Sequence, residues 1–185
     1  MTSINPITFF GGTIGLWKVV QMHTIVGDPL ATVSYVDAHT THHPALPSTT
    51  VMWTLKGTNT HPRYAERTEV NALQAVQAPL QRPEATMACL IPIRKSAAWW
   101  ALAQDERRKI FEEESQHIAL SMAYLPAIAR RLYHGRELGE PFDFLTWFEF
   151  APEHESVFNA LLVKLRNTRE WTFVDREIDI RLQIT

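Results

Sequence analysis

From Met87 onward the spacing of apolar residues switches back and forth between two periods, and this limits the available folds more than any other feature of the chain. Met87, Cys89, Ile91 and Ile93 occupy every second position, as in a strand with one buried face. Phe111, Ile118, Met122 and Leu125 then recur near a helical period within Asp105–Arg131. Phe144, Thr146, Phe148 and Phe150 return to period two, with Leu145, Trp147 and Glu149 on the other face. Val157, Phe158, Leu161, Leu162 and Leu165 make the apolar stripe of a helix over Glu153–Asn167, opened by Pro152. In Trp171–Gln183, Val174, Ile178, Ile180 and Leu182 point one way, and Asp175, Glu177, Asp179 and Arg181 the other.

The first half is less regular. Strands are expected over Leu16–Val26, with Leu16, Val20, Met22 and Val26 on one face, and over Ala31–Asp37, after the turn signal Gly27-Asp28-Pro29. A third strand is marked by Val51, Trp53 and Leu55, and Arg63–Ala78 has the spacing of a helix closed by Pro79. The resulting order, βββαβαβαβ, predicts an α+β fold with helices on one side of a mostly antiparallel sheet, nearest to a ferredoxin-like arrangement. Residues 1–80 and 81–185 read as two lobes of one structural unit.

Pro126 interrupts the longest helical pattern. An interior proline removes a backbone donor and clashes with the carbonyl four residues earlier, so a kink or break is expected between Met122 and Pro126. On an unbroken helix His117 and Arg130 would stand about 20 Å apart on different faces. A break lets them approach a flat ligand from opposite sides.

Composition narrows the function classes. Eighteen Lys and Arg against 20 Asp and Glu give a net charge of −2, which argues against polyanion binding as the main task. Cys89 is the single cysteine, so neither an intrachain disulfide nor a two-cysteine zinc motif can form. No secretory leader pattern and no apolar run near the ~20 residues of a membrane span stands out, so the expectation is a cytoplasmic protein away from membranes. Six tryptophans, with Trp99 and Trp100 adjacent, suit a rigid core, an interface or the lining of a flat cofactor.

Two charged clusters are assigned ordinary roles. His39-x-x-His42-His43 falls in Ala38–Ser48, read as a solvated loop without the support a metal site needs. Asp105–Lys109 with Glu112–Glu114 reads as a solvated helix face. His117 lies at the edge of the apolar stripe, and its spacing alone favours pairing with Glu114.

A long ordered series of segments resembles the chlorite dismutase family of haem proteins. It comprises Ile91–Ser96 with Trp99-Trp100, Ser115-Gln116-His117, Tyr124–His134, Gly139–Pro152, Glu170–Val174 and Arg176–Leu182. The chain is similar to the short-subunit branch, so the resemblance implies a homodimer of ferredoxin-like α+β barrels with a reduced N-terminal lobe. It also implies haem b (iron protoporphyrin IX), with His117 as proximal iron ligand and Glu170 as the carboxylate on the other imidazole nitrogen. Lys95 corresponds to a residue of the proximal hydrogen-bond network, and Trp99 to one near the haem edge and a propionate. Arg130 corresponds to the distal arginine, Leu132, Thr146 and Phe148 to the apolar distal lining, and Gln77 to a partner of Arg130. Trp53, Trp147 and Trp171 are left as core. The implied reaction converts chlorite to chloride and dioxygen through a ferryl intermediate and retained hypochlorite. Relatives that decarboxylate coproporphyrin-iron lack the distal arginine, and a haem-binding barrel without catalysis is the other alternative.

Overall fold

The computed structural model describes residues 6–40, 50–59 and 63–184. Its strands are β1 (Pro6–Gly12), β2 (Trp17–Val26), β3 (Tyr35–Thr40), β4 (Val51–Thr58), β5 (Met87–Lys95), β6 (Ala129–His134), β7 (Phe144–Phe150) and β8 (Val174–Ile184). They close into a barrel in the order β1-β3-β2-β8-β5-β7-β6-β4, with antiparallel pairing throughout. The helices are α1 (Arg67–Val76), α2 (Ala97–Ala101), α3 (Gln104–Arg108), α4 (His117–Met122) and α5 (Glu155–Arg166). Within the ring, β4-β1-β3-β2 and β8-β5-β7-β6 are two arcs. Each holds its strands in the same relative order of fourth, first, third, second. The fold is α+β and ferredoxin-like, as expected.

Two apolar layers result. Phe9, Trp17, Trp53, Leu55, Leu90, Leu145, Trp147, Ile178 and Ile180 fill the barrel. Cys89, Ile91, Ile93, Phe148, Phe150, Phe158 and Leu161 fill the space between sheet and helices. The alternation read along β7 therefore holds: Leu145 and Trp147 enter the barrel, while Phe144, Phe148 and Phe150 meet the helix layer. Phe150 and Phe158 stack at 4.6 Å, and burying one such ring contributes about 1.5–3 kcal/mol. Gly11 lets β1 lie against Trp53, whose ring carbon would stand 2.1 Å from an added Cβ.

Several expectations are corrected. The order is ββββαβαααββαβ, because β1 and β6 were not anticipated. β1 offers little period-two signal, ending as it does in Gly11-Gly12. β6 was absorbed into the supposed helix Asp105–Arg131, which in fact divides into α3, a π-helical segment Lys109–Glu114, and α4. The break before Pro126 is present, but Arg130 emerges on a strand. Leu16, just ahead of β2, and Val20 and Val26 on it are exposed while Trp17 turns inward, since the pairing with β8 shifts register at Val19/Gln21 and again at Thr24/Val26. The second strand starts only at Tyr35, with Val33 buried ahead of it. His39 lies on β3 rather than in a loop, its Nε2 3.3 Å from Asp37; His42 and His43 lie outside the described residues.

The polar face of β8 is covered by α5. Arg166 bonds Glu177 at 2.6 Å and Asp179 at 2.9 Å, and Arg181 joins the same aspartate at 2.5 Å. Cys89 donates its thiol hydrogen to Asp179, and burial pushes that thiol well above its usual range.

His134 gives the fold a pH dependence. It is 3% exposed, and burial together with the Arg63 charge lowers its pKa to about 4, against the opposing pull of Glu137. Between pH 6.5 and about 4 the unfolded chain takes up a proton that the folded chain excludes, so stability falls as pH falls through that window. His134→Asn should remove up to about 3 kcal/mol of that decline, read from urea unfolding at pH 7, 5.5 and 4.5. An unchanged slope would exclude His134 as its source.

Candidate functional site

The site begins where β5 ends. Lys95, at its last position, sends its ammonium beneath the short 3₁₀ turn Glu170–Phe173 that leads into β8. Lys95 Nζ donates to Glu170 Oε1 at 2.8 Å and to the Glu170 carbonyl at 3.3 Å. The other carboxylate oxygen, Oε2, lies 2.7 Å from His117 Nδ1, and the Glu170 N–H donates to Ser115 Oγ at 2.9 Å. Glu170 and Lys95 are only 4% and 5% exposed.

Burial alone would raise the Glu170 pKa. The charges and hydrogen bonds of His117 and Lys95 outweigh it and bring the carboxyl down to about 2. An ionised carboxylate only accepts, so the Nδ1 hydrogen of His117 points to Glu170 and Nε2 is the ring nitrogen outside that contact. Phe111 stacks on the imidazole at 4.5 Å, and Trp171 lies near-parallel at 6.2 Å, which fixes the ring plane. Glu114, the partner favoured by spacing, bonds Arg169 instead. The supposedly solvated charge run is also engaged: Arg108 forks onto Glu69, and Glu112 accepts from the α4 backbone.

Arg130 stands on β6 opposite Phe148 of β7, and Leu132 stands opposite Thr146. Across β7 the same two positions face Cys89 and Ile91 of β5, so this patch of the outer sheet face carries one cation among largely apolar side chains. Among the described residues the Arg130 guanidinium has no hydrogen-bond or ion-pair partner. Desolvation holds its pKa below the usual arginine value. Arg94 and Arg108 show the contrast, since their carboxylate hydrogen bonds raise theirs. Gln77, just past the end of α1, does reach Arg130, but its Nε2 donates to the backbone carbonyl and not to the guanidinium.

Trp99 is fully buried, edge-on to Tyr64 and beneath Lys95, whose Nζ is 4.8 Å from the ring centroid. Among the described residues its indole N–H has no acceptor. Trp100 follows a different course, donating to Asp143 at 3.1 Å and packing under Arg136. Among the described residues no group of three or more His, Cys, Asp or Glu can hold a bare metal ion, so His117 is an isolated candidate ligand.

A family model described as chlorite dismutase matches residues 22–182. The chain belongs to the chlorite dismutase family. A dimeric chlorite dismutase from Nitrobacter winogradskyi is 53% identical, with a TM-score of 0.88 over 97% of this chain and 99% of that one. A mutant chlorite dismutase from Candidatus Nitrospira defluvii is 27% identical, with a TM-score of 0.60 over 74% and 56%. A curated chlorite dismutase from Ideonella dechloratans is 34% identical over 83 residues, which is 45% of this chain and 27% of that relative's length. No described helix is long and apolar enough to cross a membrane.

Sequence reasoning missed what surrounds His117. Ser115 carried no signal of its own, Trp171 was left as core, and Glu112 was assigned to solvent. A carboxylate five residues before a histidine faces away from it on a regular helix, and only the π-helical turn brings it back.

Proposed function

We propose that this chlorite dismutase family member binds haem b and converts chlorite to chloride and dioxygen. The observation that carries this reading is Arg130: a desolvated cation on an apolar sheet face with no carboxylate partner among the described residues, in a chain that also fixes the His117 imidazole through Nδ1 alone. The residues present fit the cofactor. His117 supplies a ligand nitrogen in Nε2, the unsatisfied Trp99 N–H suits a propionate oxygen, and Leu132, Thr146 and Phe148 suit the face of a flat macrocycle. When bound, haem b supplies a redox-active iron that can accept an oxygen atom from the substrate.

The chain's own residues do the rest. Glu170 holds the Nδ1 hydrogen of His117, fixing its tautomer and strengthening Nε2 as a donor, and Lys95 keeps Glu170 ionised. Arg130 draws in the chlorite anion and retains the hypochlorite left after oxygen transfer, so that the two oxygens can recombine. In an apolar wall that charge is poorly screened by water and acts more strongly. Gln77 holds the β6 backbone at Arg130.

The protein acts as a homodimer, in keeping with the dimeric structure it resembles at 53% identity. Residues 1–80 form the reduced lobe and 81–185 the haem-binding lobe, in a cytoplasmic setting consistent with its one buried thiol. Purified with haem, the protein should show a Soret band and release oxygen on chlorite addition, followed at an oxygen electrode. A Soret band without oxygen release would leave a haem carrier, and no Soret band would remove the haem reading.

A further inference from the structure

We infer that Glu112 is a positioning residue for His117, holding the start of its helix from five residues upstream; this rests on the reading of His117 as the haem ligand. α4 has only six residues, and a helix that short does not hold its shape unaided. His117 is its first residue, so any rotation of the first turn moves the imidazole directly.

The usual means of fixing that turn is missing. The N-cap residue Gln116 is left-handed, with φ 49° and ψ 39°, and its side chain caps nothing. The free amides are instead taken by Glu112, whose Oε2 accepts from Ile118 N–H at 2.7 Å and Oε1 from Ala119 N–H at 3.2 Å. Both oxygens of one carboxylate therefore clamp the two amides that follow His117, and a negative charge at a helix N-terminus is favourable in itself.

The backbone before α4 is shaped for this contact. Lys109–Glu114 is π-helical, with Ser115 N–H bonded to the Ile110 carbonyl at 3.1 Å, and the left-handed Gln116 then turns the chain. The next helix is thereby folded back over the Glu112 side chain. From the other side Glu170 grips Nδ1, so the imidazole is set by two carboxylates, one acting on the ring and one on the backbone beneath it. Glu112 touches neither substrate nor cofactor in this arrangement and acts only through His117.

The test compares haem-loaded wild-type protein with Glu112→Ala, Glu112→Gln and the neighbouring control Glu113→Gln. Three readouts are followed: amide hydrogen exchange at Ile118 and Ala119, haem transfer to excess apomyoglobin, and the ferrous iron–histidine stretching band in resonance Raman. Glu112→Ala should speed exchange at both amides, release haem about tenfold faster or more, and shift and broaden the band. Glu112→Gln, which keeps one acceptor, should fall between, and Glu113→Gln should match wild type. Faster haem loss with an unchanged band would reduce Glu112 to general stability and overturn the inference, as would unchanged haem loss despite faster amide exchange. A wild-type protein that takes up no haem would instead overturn the reading of His117, and this inference with it.

Discussion

Arg130→Ala lowers chlorite turnover by about 10²–10³-fold while haem uptake stays close to wild type. The guanidinium has no carboxylate to neutralise it and no structural hydrogen bond to lose, so its removal leaves no buried charge unpaired elsewhere. The loss falls on the anion instead. On the proposed reading, chlorite would be poorly oriented without the cation and the hypochlorite fragment should escape before recombining. The variant should consequently bleach its haem faster per oxygen released. Arg130→Lys keeps the charge but not the planar fork of donors, and should recover only part of the rate. Initial rates at an oxygen electrode and Soret decay in the same cuvette check both points. Oxygen release unaltered in Arg130→Ala would remove Arg130 from the reaction.

Glu170→Ala acts in the opposite way, through the fold. Lys95 would be left as a buried ammonium without its counter-ion, and breaking such a pair costs about 3–5 kcal/mol. For a chain of this size that is a fall in Tm on the order of 10 °C. His117 would also lose the acceptor that sets its tautomer, so haem retention should drop together with stability. The diagnostic variant is the double change Lys95→Met with Glu170→Ala. Removing both charges should recover much of the Tm and none of the haem retention. A double variant as unstable as Glu170→Ala would show that the cost lay in packing rather than in the stranded charge. Calorimetry and a haem titration read the two quantities separately.

What the sequence revealed depended on the length over which each pattern repeats. β5, β7 and β8 run for seven residues or more with clear alternation, and their faces were readable. The shared face of Thr146 and Phe148 followed from period two alone. β6 has six residues lodged between Pro126 and Gly135, too few to separate a strand from the tail of a helical stripe. Arg130 was therefore placed on the wrong element. The His117–Glu170 contact spans 53 positions, which no local spacing can disclose; the family resemblance supplied it, whereas spacing favoured Glu114. The π-helical turn explains that failure, since it rotates Glu112 and Glu114 away from where a regular helix would carry them.

The barrel is fastened unevenly around its ring. β6 pairs with β7 along its whole length, whereas among the described residues its ladder with β4 is the pair Thr58 and His134. Mechanically, the two halves of the site are mounted on supports of different stiffness. His117 is braced through Glu170 to Lys95 on β5, inside the sheet, whereas Arg130 rides on β6, held by β7 on one side and by Gln77 at its own carbonyl. A shift of β6 would therefore carry Arg130 with it without directly loading the buried Lys95–Glu170 pair.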